Sequence, residues 1–140
     1  MKKILVLAAA LALVSSTAFA AGTATLNVTA NVLGTCTITG GNLAFGALDP
    51  TTALAVGPIA ATGVAVNCTS GNAFTVTDNA ASQPLANGAN FIPFTLTHAG
   101  GGTGTGALVA YGITGDIAAG VYSFSPAGAY TSSVTLTINP

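Results

Sequence analysis

Residues 23–32 read Thr-Ala-Thr-Leu-Asn-Val-Thr-Ala-Asn-Val. Every even position is apolar: Ala24, Leu26, Val28, Ala30 and Val32. Every odd position is polar: Thr23, Thr25, Asn27, Thr29 and Asn31. A strand points successive side chains to opposite faces, so this unbroken alternation predicts a strand with one buried face. Such a first strand serves either its own core or a partner's, and the pattern is the same for both.

The rest of the chain repeats the theme in shorter pieces. Thr/Val/Ile/Leu runs are separated by Gly, Pro, Asn and Asp, and no segment after the first twenty residues shows sustained helical spacing. Strands are expected over 35–39, 43–45, 63–68, 74–77, 91–97, 107–113 and 130–138, with a short apolar piece at 121–124. Pro93 confines its stretch to an edge or a bulge. Gly57-Pro58 reads as loop, 78–90 as loop, Gly115-Asp116 as a turn, and the Gly/Thr tract 100–106 as flexible and exposed. In the last run Val134, Leu136 and Ile138 share one face, with Thr135, Thr137 and Asn139 on the other. Many short strands with turns between them predict an all-β sandwich or barrel.

Upstream, Lys2 and Lys3 precede an apolar run from Ile4 to Val14, and Ala18-Phe19-Ala20 has the form of a cleavage site. This predicts a secretory leader over residues 1–20. The run is shorter than the ~20 apolar residues of a membrane-spanning helix, so no membrane insertion is expected. Both lysines lie in the leader, and the sequence has no other Lys or Arg. The mature chain then carries Asp49, Asp78, Asp116 and the single His98. A chain without cationic side chains cannot neutralise phosphates, which excludes nucleic acid, anionic membrane surfaces and phosphorylated substrates as partners.

Cys36 and Cys68 are the two cysteines. An exported chain with an even cysteine count predicts one disulfide. Two thiols and a distant His do not make a zinc set, and no metal or cofactor is expected. Catalysis finds little support either. His98 stands beside the glycine tract, no Ser has a nucleophile-elbow pattern, and each Asp sits in turn chemistry. Gly102-Thr103-Gly104 with Ala107 fits a dinucleotide fingerprint only loosely, because neither a strand before it nor a helix after it is expected. The glycosylation sequons at Asn27 and Asn67 are incidental behind a bacterial-type leader. A sandwich also has edges to protect, and this chain lacks the lysines that commonly blunt them.

Leu26 to Val32 leading into Thr35-Cys36-Thr37-Ile38, and then Leu43-Ala44-Phe45-Gly46, resemble the start of a spore coat protein U domain. Val64 to Gly71 is similar to the segment that bears that family's second cysteine. Tyr111-Gly112, Pro126 to Tyr130 and Val134 to Ile138 resemble its C-terminal third. The sequence departs from the family in its short Gly-rich middle, 78–106, and in Ile113, which stands where a basic residue is usual.

The resemblance implies an immunoglobulin-like, pilin-type β-sandwich that lacks its last strand. It implies a donor-strand extension over 21–33 and a single domain over 34–140. Ala24, Leu26, Val28, Ala30 and Val32 would be the donor side chains, and Val134, Leu136 and Ile138 would help line the acceptor groove. The implied partners are other copies of the chain, a periplasmic chaperone and an outer-membrane usher. The implied product is a non-enzymatic surface pilus used in adhesion and biofilm. The other reading is a secreted coat or matrix protein whose sandwich is complete in itself.

Overall fold

The computed structural model describes residues 22–140. The expected leader and the start of the mature chain at Ala21 lie outside the described residues. The compact unit runs from Val32 to Pro140. It is all-β, with one short 3-10 turn at Ala80–Ser82 and no α-helix among the described residues.

Eleven strands follow in order: β1 Cys36–Thr39, β2 Val56–Ala60, β3 Ala65–Cys68, β4 Ala73–Asp78, β5 Leu85–Asn87, β6 Asn90–Ile92, β7 Thr95–His98, β8 Gly101–Thr103, β9 Leu108–Ala110, β10 Ile113–Ile117 and β11 Leu136–Asn139. They form three-stranded sheets in the orders β1-β3-β9, β2-β10-β7 and β11-β4-β8, plus the hairpin β5-β6. All these pairings are antiparallel. Sequence neighbours therefore often lie in different sheets, as a sandwich requires.

Alternation places the core. Val66 and Cys68 on β3 and Phe74 and Val76 on β4 are buried with Val64, Tyr111 and Ile113, and Cys36, Ile38, Leu136 and Ile138 pack against them. This cluster joins the inner faces of the β1-β3-β9 and β11-β4-β8 sheets. A second cluster gathers Ile92, Ile117, Tyr122 and Ala53, with Phe45, Phe94 and Tyr130 around them. The Tyr122 hydroxyl is satisfied there by the Leu54 carbonyl at 2.7 Å, as a buried phenol needs to be.

Several expectations are corrected. Gly115 and Asp116 do not turn the chain but lie within β10, between β2 and β7. A side chain at 115 would meet Leu43 and Phe45, so glycine is there for close packing. The Gly/Thr tract contains β8, which pairs with β4. At 101 and 102 a side chain would run into the Phe74 carbonyl and ring, and glycine lets the two strands approach. The stretch around Gly57-Pro58 is strand β2, at a sheet edge where a proline costs no ladder bond. Part of the expected loop 78–90 is strand β5.

Other expected elements are shorter than read. The run 91–97 is broken at Pro93 into β6 and β7, and 43–45 forms no strand. The piece at 121–124 is turn. Residues 130–133 contribute a single bridge, Thr131 to Ala86, before β11 begins. Residues 23–32 form no strand in the single chain, and their side chains are exposed.

Candidate subunit interface

β1 and β11 are both edge strands. β1 pairs on one side with β3, and β11 pairs on one side with β4. The two pack near each other, and among the described residues their outer edges are unpaired and flank one space. That space is a groove of about 270 Å³, lined by Ile38, Leu43, Phe45, Leu96, Val134 and Leu136 among others. Its floor is apolar because the alternating positions of both strands face inward. Ile138 lies further along the same face of β11, half-buried against the first core cluster. A wider cleft of about 670 Å³ shares Leu43, Phe45 and Leu85 with the groove and continues it past Tyr122 and Tyr130. This second cleft and the contributions of Leu43, Phe45 and Leu96 were not read from the sequence. Phe45 and Leu96 belong to the runs 43–45 and 91–97, whose local pattern shows no shared site, and only the topology brings them to a common space.

The disulfide secures one wall. Cys36 and Cys68 face each other in the register of β1 and β3 and are joined, with S–S 2.05 Å. Their separation of 32 residues closes a loop that contributes about 3–4 kcal/mol in the chain-entropy account. The bond fixes β1 to β3 next to its unpaired edge.

The other wall is held differently. Segment 131–135, which carries Val134, bonds to the stretch that follows β4. The Thr131 amide donates to the Ala86 carbonyl at 3.1 Å, and the Ala86 amide donates to the Thr131 carbonyl at 2.8 Å. The Ser132 hydroxyl donates to the Gln83 carbonyl at 2.7 Å. The Thr135 amide donates to Asn79 Oδ1 at 2.7 Å.

His98 and Asp78 meet behind this wall. The Gly100 amide donates to His98 Nδ1 at 3.1 Å, so the ring proton is on Nε2, which donates to Asp78 Oδ2 at 2.9 Å. The Tyr111 hydroxyl lies 3.2 Å from Nδ1. The second Asp78 oxygen, Oδ1, accepts the Ala80 amide at 2.7 Å. That amide bond chiefly holds the Asp78 carboxyl below its ordinary range, with His98 adding to it against the opposing effect of burial. Burial raises the Tyr111 phenol. Both ring nitrogens are thus taken up by structural partners, and a triad would need one of them on a nucleophile.

The other carboxylates serve their own segments. Asp49 accepts the amide and the hydroxyl of Thr51 within one turn, and these bonds lower its pKa. Asp116 lies on β10, opposite Thr95. Among the described residues no group of three or more His, Cys, Asp or Glu is placed to hold a metal ion. No helix of the described residues is long and apolar enough to cross a membrane.

An all-β chain of antiparallel sheets clamped by one cross-strand disulfide has the make-up of an immunoglobulin-like β-sandwich. The model of the Spore Coat Protein U domain matches residues 22–105. The chain belongs to the Spore Coat Protein U domain family, which is associated with chaperone–usher pilus subunits. The match covers β1 to β8 and stops before β9, β10 and β11. No curated protein sequence matches the chain.

Proposed function

We propose that this protein is a structural subunit of a surface pilus, in which residues 23–32 of one copy complete the sandwich of the next. One observation carries the reading: an apolar groove lies between two unpaired strand edges in a chain whose own alternating segment forms no strand. A strand added there gains backbone hydrogen bonds from the open edges, and its alternate side chains fill the groove. Leu26, Val28 and Val32 supply the apolar contacts, each worth about 1.5–3 kcal/mol where fully buried. Ala24 and Ala30 suit shallower places. Val134 and Leu136 form part of the acceptor wall, and Ile138 continues the same face of β11 beyond the groove.

Before assembly the same groove needs a temporary occupant, because an apolar strand edge in water invites aggregation. A periplasmic chaperone that lends a strand, and an outer-membrane usher at which the exchange occurs, fit that need. The chain then acts by assembly, without catalysis and without a cofactor.

Electrophoresis of the purified mature protein in SDS, unheated and heated, tests this. The expected result is a ladder of multimers that collapses to monomer on heating and is lost when residues 23–32 are deleted. A single monomer band in both lanes, from folded soluble protein, would replace the pilus reading with that of a self-complete coat or matrix protein.

A further inference from the structure

We infer that His98 is a positioning residue for segment 131–135, the part of the groove wall that carries Val134. The route is short. His98 Nε2 donates to Asp78, whose other carboxylate oxygen caps Ala80 and so fixes the turn Ala80–Ser82. That turn is closed on Asn79, whose carbonyl accepts both the amide and the hydroxyl of Ser82. Asn79 Oδ1, Gln83 and Ala86 then hold Thr135, Ser132 and Thr131. Four hydrogen bonds of the wall segment therefore end on a stretch whose first turn is set by one carboxylate. Backbone pairing strengthens the link, because Asp78 is the partner of Leu136 at the start of β11.

His98 is well suited to the task. It sits at the end of β7, in a different sheet from β4, so its bond ties two sheets together where the wall begins. The side chain of His98 is 11% exposed and that of Asp78 20%, so the bond lies at the solvent boundary and gains its value from the two segments it joins. The titratable groups facing the ring are Asp78 from β4 and Tyr111 from the β9–β10 connection; the turn 80–82 and strand β8 bring none.

That this wall receives a donor strand rests on the function proposed above; that His98 positions it does not. Amide exchange in the ¹⁵N-labelled mature protein separates the two. In His98→Ala the Thr135 amide is expected to exchange roughly tenfold faster, while the Ala61 amide, bonded to the Ile113 carbonyl at 2.8 Å, keeps its rate. His98→Gln places an amide N–H near the position of Nε2 and should restore slow exchange. His98→Asn, which places it near Nδ1, should not. An unchanged Thr135 in His98→Ala, or rescue by Asn as good as by Gln, overturns the assignment. So does equal acceleration at Ala61, which would mark a general loss of stability. If the wild-type protein gives no SDS-resistant ladder, the pilus reading fails, and the Thr135 rates still decide the role of His98.

Discussion

Two stretches of this chain carry the same alternation. In 23–32 the apolar positions are Ala24, Leu26, Val28, Ala30 and Val32; at the C-terminal end they are Val134, Leu136 and Ile138. The second stretch contains a strand, half-buried and paired to β4. The first contains none, and Leu26, Val28 and Val32 are 84%, 82% and 81% exposed. Alternation measures readiness to pair and to bury one face, but pairing needs an open ladder to join. Within the chain β4 supplies that ladder to β11. On the reading proposed here, the free edges of β1 and β11 in a neighbouring copy supply it to 23–32.

The sharpest way to break the comparison is to make the two stretches unequal. Val28→Asp places a carboxylate where the groove would bury it, at a cost of several kcal/mol. The SDS-resistant ladder should disappear, while the thermal unfolding of the monomer stays unchanged because Val28 is exposed there. A falling melting temperature would mean that 23–32 serves its own domain. Next, replacing Cys36 and Cys68 together by Ser should cost about 3–4 kcal/mol in urea unfolding. This cuts the tie that holds β1 in place, so the ladder should weaken with it.

Leu136→Ala tests the paired stretch, and loss of a half-buried leucine there should cost about 1–2 kcal/mol of monomer stability. It should also loosen the ladder, which an exposed donor position cannot do to the monomer. Acid acts on the same wall through Asp78. Its pKa is lowered from the ordinary 3.8, so the stability it contributes is present above that value and lost as pH falls through the depressed one. Urea midpoints measured between pH 5 and pH 2 should therefore fall toward the acid end, and Asp78→Asn should flatten that fall. The smallest effect belongs to Thr25→Ser, on the polar face of the donor stretch. It should change neither monomer stability nor the ladder by more than about 0.5 kcal/mol; a larger loss would place the odd positions in the groove and shift the register by one.

Legibility followed the physics of each signal. The disulfide was legible because export and an even count leave two cysteines one plausible partner each. The inner faces of β3, β4 and β11 were legible because Val66 and Cys68, Phe74 and Val76, and Leu136 and Ile138 obey a period of two. The glycines misled. Gly115 and the pair Gly101-Gly102 read as turn and flexible tract, yet they lie in strands because neighbouring side chains and backbone leave no room for a Cβ. Pro58 masked β2 in the same way, since nothing local shows that its strand lies at an edge. The contact of His98 with Asp78 was also hidden, because it spans 20 residues and joins two sheets.

The sequence by itself determined the all-β class, the disulfide, the lack of cationic side chains beyond Lys3, and the two alternating stretches. These follow from residue type and from a period that neighbouring residues enforce on one another. Only the tertiary structure decided that β1 and β11 are edges facing one apolar groove, that Phe45 and Leu96 line it, and that 23–32 remains exposed in the single chain. Those properties depend on which strands run side by side, and strand order is set by long-range pairing that no local pattern encodes.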